Sequence, residues 1–174
     1  MIEVVLRAVR VDVGSVTPLL LLEEVDGQRV LPIYIGSSEA ASISYALQGL
    51  ATPRPMTHDL LNDLVTALGA KIFSVEVITL VDSTYHAQIR LLQGSREILV
   101  SARPSDAIAV ALRCKAPMLV SEEVMASEGR LMDLAPDSEV ELLDDDIFDE
   151  QTENDLVDEL RDFLETIRPE DFER

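Results

Sequence analysis

The alternation of apolar and polar residues divides the first two thirds of the chain into strands and helices. Strand-like patterns rich in Val, Leu and Ile cover residues 2–13, 18–25, 29–35, 71–80, 84–92, 96–102 and 117–120. The four consecutive leucines at 19–22 show no polar alternation, which is typical of a strand buried on both faces. Turn-forming residues at 26–27, 81–83 and 93–95 predict that these strands are joined in hairpins.

Apolar residues at helical spacing predict three helices within this region, over residues 39–50, 59–68 and 104–114. Ser37 and Ser38 are suited to cap the first helix and Thr57 the second, while Gly69 is suited to end the second. Helices interleaved with strands that are joined by hairpins predict an α+β fold, in which a mixed, largely antiparallel sheet packs with helices.

The composition changes after residue 136. Residues 137–174 contain 17 Asp and Glu and 3 Arg, so they carry −14 of the net charge of −19. An apolar stripe at helical spacing predicts an amphipathic helix over residues 154–168, and its members are Leu156, Leu160, Phe163, Leu164 and Ile167. We therefore divide the chain into a domain at residues 1–136 and an acidic linker with a tail helix at residues 137–174.

Several classes of protein are excluded or disfavoured by composition. No apolar run approaches the roughly 18 to 20 residues of a membrane helix, and the first residues lack the order of a signal peptide. The single cysteine, Cys114, excludes an internal disulfide framework and is consistent with the cytoplasm. Because the domain has no basic run, any nucleic-acid site must be a local patch or depend on a metal.

Candidate chemistry is concentrated at the predicted helix starts. Glu39, Asp59 and Asp106 each lie in the first turn of a helix, where a carboxylate is favoured whatever its function. That ordinary preference is the commoner explanation for each of them alone. If the three converge beside His58, they would suit a hard divalent cation, Mg²⁺ or Mn²⁺, as metal ligands. Such a cation activates water and holds a phosphate.

The basic and nucleophilic candidates also have two interpretations. His58 is the obvious general base, but a structural hydrogen bond at a helix start explains it equally well. Arg54 and Arg103 each precede a proline and are candidates to bind phosphate, although ion pairs with Asp59 and Asp106 are the commoner outcome. Other residues have simpler explanations: a helix cap for Ser105, a surface position for His86, and an incidental thiol for Cys114 despite its basic neighbours.

Three segments at these positions resemble the bifunctional nuclease family. They are residues 31–36 followed by Glu39, residues 53–60 and residues 102–109, and the resemblance extends over about residues 1–130. It implies a nuclease that hydrolyses phosphodiester bonds in DNA and RNA. The assignment of His58, Asp59 and Asp106 as catalytic residues rests on their chemistry at matching positions. The family motif usually has Asp where this chain has Ser101, so a ligand or base at that position would be missing here.

The alternative is a non-catalytic oligomeric scaffold whose acidic tail binds a protein partner. The net charge of −19, Ser101 and the lack of a basic patch favour it. Under either reading we expect a homo-oligomer, most simply a dimer, since strands with little charge such as residues 75–80 need an apolar partner. We also expect the apolar stripe of the tail helix to dock on this domain, on a second subunit or on another protein.

Overall fold

The computed structural model describes residues 1–12, 17–50 and 52–131. Within these ranges the chain forms eight strands and four helices. In chain order they are β1 (Ile2–Asp12), β2 (Thr17–Glu24), β3 (Arg29–Tyr34), α1 (Ser37–Gln48), α2 (Thr57–Ala67), β4 (Lys71–Val81), β5 (Thr84–Gln93), β6 (Arg96–Ala102), α3 (Pro104–Cys114), β7 (Met118–Val120), α4 (Glu122–Glu128) and β8 (Arg130–Leu131).

All eight strands belong to one sheet in the order β6-β5-β4-β7-β1-β2-β3-β8. Neighbouring strands are antiparallel except for the parallel pair β4 and β7, which the α3 crossover separates in sequence. The predicted α+β fold with a mixed, largely antiparallel sheet is therefore confirmed. The proposed boundary after residue 136 and the tail helix lie outside the described residues.

The core is aliphatic, as the composition requires. Leu20, Leu21 and Leu22 are each at most 2% exposed, which confirms that this stretch of β2 is buried on both faces. Helix α3 is buried continuously from Ala107 to Ala111, because it packs against α1, α2, β4 and β5. This central position of α3 fixes where its first turn lies relative to the other two helix starts.

The turns between the last three long strands follow the prediction. Asp82 and Ser83 both have positive φ, 46° and 60°, as a two-residue hairpin turn with the twist of its strands requires. Gly94, at φ 60°, takes the corresponding left-handed conformation between β5 and β6. Helix α4 and the short strand β8 were not predicted, because an element of seven or two residues is too short to show periodicity.

The hydroxyl side chains predicted to cap the starts of α1 and α2 do not do so, whereas Gly69, with φ 70°, closes the end of α2 as predicted. Helix α1 begins at Ser37, with Gly36 as the residue before it and no side-chain cap, and it ends at Gly49, whose φ is 64°. Helix α2 begins at Thr57 itself, after Met56. The backbone N–H of Met56 donates to Asp59 Oδ2 at 2.9 Å, which is the carboxylate half of a capping box.

The apolar stripe of α2 does not enter the core. Leu60, Leu64 and Leu68 are 51%, 53% and 70% exposed, and His58 is the buried residue of this helix. The leucine spacing correctly indicated a helix, but it did not indicate which way the helix faces. No helix in the described part of the chain is long and apolar enough to span a membrane.

Candidate functional site

The first turns of α1, α2 and α3 meet at one cavity of about 330 Å³. Glu39 comes from α1, His58 from α2, and Asp106 from α3, with Arg103 immediately before α3. The residues that line the cavity are Ser38, Glu39, Ser42, Met56, Thr57, His58, Arg103 and Asp106. The structure thus brings together four of the six residues that the sequence singled out as a site.

Arg103 lies between the two carboxylates of this cavity. Its Nε donates to Asp106 Oδ2 at 2.8 Å, and its Nη2 donates to Asp106 Oδ1 at 3.1 Å and to Glu39 Oε1 at 2.8 Å. The expected pairing of Arg103 with Asp106 is confirmed. The Arg103 side chain is 66% exposed, while those of Glu39 and Asp106 are 16% and 28% exposed.

These contacts keep both carboxylates ionised. The hydrogen bonds from Arg103 hold the pKa of Asp106 below its usual range against the opposing effect of burial. The pKa of Glu39 is lowered by the Ser38 hydroxyl, by a backbone N–H and by Arg103. Asp106 and Glu39 in turn raise the pKa of Arg103. The three groups therefore carry a net charge of −1 at neutral pH.

His58 is 8% exposed and both of its ring nitrogens have protein partners. Nε2 lies 3.2 Å from Asp106 Oδ1 and Nδ1 lies 2.8 Å from Ser42 Oγ. Arg113 Nη2 donates to that Ser42 oxygen at 3.3 Å, so the Ser42 hydroxyl is free to donate to Nδ1. With Nδ1 facing the Ser42 hydroxyl, Nε2 of His58 carries the hydrogen that is donated to Asp106. This hydrogen bond orients Asp106. It is the structural role that the sequence allowed for His58 beside that of a general base.

Asp59 is directed away from the cavity. Its Oδ1 accepts from Arg113 Nε, and its Oδ2 accepts the backbone N–H of Met56. Burial raises the pKa of Asp59, but these hydrogen bonds and the charge of Arg113 outweigh it, so the pKa lies below its ordinary value. Asp59 is not among the residues that line the cavity with Glu39 and Asp106.

The ion pair expected between Arg54 and Asp59 is not formed. Arg54 is exposed, and its side chain forms no ion pair within the part of the chain that the structure describes. The partner expected for it, Asp59, binds Arg113 instead. Nothing in the geometry places Arg54 beside the cavity, whereas Arg103 lines it.

Sequence reasoning missed Arg113 and Ser42. The Arg113 side chain is 10% exposed and also donates to the backbone oxygens of Ala109 and Ser42, so it fastens α3 to α1 and α2. A signal was present, since Arg113 lies seven residues after Asp106 and therefore on the same side of one helix. Ser42 carried no comparable signal.

The other candidate residues lie apart from this network. Ser105 is the second residue of α3 rather than its cap, and His86 is exposed as expected. Burial raises the pKa of the Cys114 thiol, so its basic neighbours do not activate it. Ser101, at the position where the family motif usually has Asp, lies on β6 and lines a different cavity together with His86. It is therefore not part of the cavity that Glu39 and Asp106 line.

Comparison with known proteins places this arrangement in a family. Residues 20–133 match the model of the bifunctional nuclease domain. An uncharacterized protein of Mycobacterium tuberculosis strain H37Rv is 40% identical over 170 residues, which is 98% of this chain and 97% of that protein. Bifunctional nuclease 2 of Arabidopsis thaliana is 32% identical over 114 residues, and bifunctional nuclease 1 of japonica rice is 27% identical over 114. These matches cover 63% of this chain but only 35% and 34% of the plant proteins.

Proposed function

This chain belongs to the bifunctional nuclease domain family, and from that membership we propose that it hydrolyses phosphodiester bonds in DNA or RNA. The observation that carries the proposal is the exposed Arg103 held by two carboxylates at the meeting point of three helix starts. A guanidinium pairs with phosphate in the same two-bond geometry that it uses for carboxylate. The proposed reaction needs such a group at the phosphate and an acceptor for the proton of the attacking water.

Arg103 is suited to bind the phosphate of the substrate. Because its side chain is 66% exposed, Arg103 can turn from Asp106 and Glu39 toward a phosphate oxygen without opening a void in the protein core. The N-termini of α1 and α3 add partial positive charge on the same side of the cavity. This local attraction offers a route to nucleic-acid binding for a domain that has no basic run.

The same movement prepares the carboxylates. Transfer of Arg103 to the phosphate removes the hydrogen bond from its Nε to Asp106 Oδ2, so that this oxygen can accept a proton from water while Oδ1 faces Glu39. His58 keeps Asp106 in place through its Nε2–H. In the proposed step a water attacks phosphorus and its proton passes to Asp106, while the bond to the leaving oxygen breaks and that oxygen keeps the electron pair and takes a proton from solvent.

We further propose that a divalent cation, Mg²⁺ or Mn²⁺, binds between Glu39 and Asp106 in the active state. Both carboxylates already converge on one positively charged nitrogen, Arg103 Nη2, and oxygen is the donor that these cations prefer. The residues therefore fit a cation with two protein ligands rather than the three first expected. When bound, the cation supplies Lewis-acid polarisation of the phosphate and a more acidic water.

The test is cleavage of labelled DNA and RNA oligonucleotides by the purified full chain with Mg²⁺, with Mn²⁺ and with a chelator. Asp106→Asn and Arg103→Met should each lower the rate by about 100-fold or more, as is typical when a general base or a charge-stabilising group is removed. Asp63→Asn, an exposed acidic position on α2, is the matched control and should leave the rate unchanged. Cleavage that Asp106→Asn leaves intact would overturn this assignment of the site.

A non-catalytic scaffold remains the second candidate function. The observation that favours it is that Arg103, Asp106, His58 and Ser42 satisfy one another without any ligand. If the full chain cleaves none of these substrates with either cation, and Arg103→Met lowers stability instead of activity, the scaffold is the better conclusion. For both functions we propose the cytoplasm as the location, on the ground of the single cysteine.

A further inference from the structure

A second cavity adjoins the first and shares Arg103 with it. Its volume is about 410 Å³. The side chains that matter here are Tyr34, at the end of β3, Tyr85, at the start of β5, and Arg103. The remaining lining comes from Ile33, Ile35, Gly36, Ser83, Thr84, Pro104 and Ser105. We call it the tyrosine cavity.

We propose that the tyrosine cavity binds one unstacked base of a single-stranded nucleic acid, next to the phosphate that Arg103 holds. The proposal rests on the nuclease function proposed above and names the substrate class of that site. Because Arg103 lines both cavities, a phosphate bound to it would have the carboxylates on one side and the tyrosines on the other. The base of an adjacent nucleotide would then enter the tyrosine cavity.

The tyrosines supply the recognition. The chain has no Trp and only three Tyr, and two of these, from strands far apart in sequence, line this one cavity. Tyr34 is 61% exposed, although the aliphatic residues around it on β3 are buried. Its ring therefore does not pack into the core. An aromatic face that is open to solvent is the usual platform on which single-stranded nucleic-acid binders stack a base.

The size and polarity of the cavity agree with a nucleoside. A volume of about 410 Å³ lies within the range of roughly 300 to 1,000 Å³ typical of small-molecule sites. The hydroxyl groups of Ser83, Thr84 and Ser105 can donate to or accept from the edge of a base, whichever base it is. The wall at Ser83 is held by the hairpin turn between β4 and β5, which is preformed.

A double helix is a poorer substrate for this arrangement. A base can reach a tyrosine only after it leaves the stack of its own duplex, which costs free energy that a single strand does not require. The cavity also has no basic run beside it to follow a duplex backbone. The expected specificity is therefore for single-stranded segments, with little dependence on base identity because every base has a stacking face.

The experiment measures binding and cleavage separately with the full chain. A fluorescein-labelled eight-nucleotide DNA is titrated by anisotropy at about 0.15 M salt, beside its duplex and beside an abasic strand of equal length. Tyr34→Ala and Tyr85→Ala should each weaken binding of the single strand by about tenfold, as loss of one stacking partner does elsewhere. Tyr34→Phe should retain the affinity. Tyr45→Ala, which removes the third tyrosine from α1 outside the cavity, is the matched control and should have no effect.

The outcomes separate this inference from the proposed function. Affinity for the single strand that Tyr34→Ala and Tyr85→Ala leave unchanged overturns the inference, and so does equal affinity for the abasic strand, while cleavage by the wild-type chain would leave the nuclease proposal standing. Tyrosine-dependent binding without any cleavage would support the base site and count against the nuclease. A wild-type chain that neither binds nor cleaves the strand contradicts both.

Discussion

Arg103 and Arg113 both pair with an aspartate near the start of a helix, but they differ in burial. The Arg103 side chain is 66% exposed and that of Arg113 is 10% exposed. An ion pair whose arginine is exposed contributes little to stability, whereas removal of a buried arginine breaks hydrogen bonds that water does not replace. We therefore assign Arg103 to ligand binding and Arg113 to the stability of the three-helix junction.

We expect Arg113→Met to lower the free energy of unfolding by about 2 kcal/mol, because this largely buried side chain loses its hydrogen bonds to Asp59, to Ser42 and to the Ala109 backbone oxygen. Arg103→Met, the matched control, should lower it by at most about 1 kcal/mol. Urea denaturation followed by circular dichroism measures both values. Equal losses for the two variants would mean that the distinction between a stabilising and a ligand-binding arginine is wrong.

For single residues, the sequence indicated which side chains form the site but not which side chains pair with one another. Residue type and position at a helix start identified Glu39, His58, Arg103 and Asp106 correctly as neighbours. The ion pair expected between Arg54 and Asp59 was wrong, because the tertiary fold brings Arg113 to Asp59 instead. Arg113 lies 54 residues from Asp59 in the chain, and no local rule connects them.

The elements themselves were predictable where their periodicity was long. The seven strands and the three longer helices predicted from the apolar pattern are all present in the structure. The side of α2 that faces the core was not predictable. An apolar stripe indicates a surface that must be covered, but it does not identify the part of the protein or the partner that covers it. Its leucines are exposed, and the buried residue of α2 is instead the polar His58.

The β4–β5 pair contains a buried charge that should make stability depend on pH. Glu76 is 4% exposed and accepts hydrogen bonds from Arg90, Gln88 and Ser74. The hydrogen bond from Arg90 is the largest of the effects that lower its pKa from 4.5 to about 2. Because the folded-state pKa lies below the unfolded one, this contribution is fully present above about pH 4.5 and is lost as the pH falls toward 2.

The expected size of this pH-dependent contribution is up to about 3 kcal/mol, from the difference between the two pKa values. Urea unfolding between pH 6 and pH 2.5 should show the loss in the wild-type chain and a shallower one in Glu76→Gln. Glu97→Gln provides the control, since Glu97 pairs with the same Arg90 but is 49% exposed. If Glu97→Gln flattens the pH profile as much as Glu76→Gln does, the effect does not come from the buried carboxylate.

For the whole molecule, the exposed face of α2 makes self-association the expected state. Leu60, Leu64 and Leu68 lie four residues apart on one side of the helix, and each is more than half exposed. We predict a dimer through this face, so light scattering should give twice the chain mass of 19.2 kDa. Leu64→Asp should give the monomer mass.

A second exposed apolar surface supplies the control for that experiment. Leu99 and Val100 are 53% and 41% exposed on β6, which is the strand at one edge of the sheet. Leu99→Asp should leave the dimer intact if α2 forms the interface. A monomer mass for Leu99→Asp together with a dimer mass for Leu64→Asp would move the interface to β6.

The last prediction concerns the acidic segment at residues 137–174, which carries −14 of the net charge while residues 1–136 carry −5. A charge of that size near Arg103 would repel a polyanion over roughly a Debye length. That length is about 8 to 10 Å at physiological salt and longer at low salt. We expect deletion of 137–174 to improve binding and cleavage of single-stranded nucleic acid at low salt, with the advantage fading as salt rises. Changing Asp144, Asp145 and Asp146 to Asn removes three of the charges while keeping the segment, and should produce a smaller shift in the same direction. Circular dichroism confirms that each variant folds before it is compared.

If the full-length and truncated chains behave alike at low salt, the acidic segment does not inhibit nucleic-acid binding. Docking of a protein partner then becomes the better explanation of the segment, because its predicted apolar stripe still needs a surface to cover it.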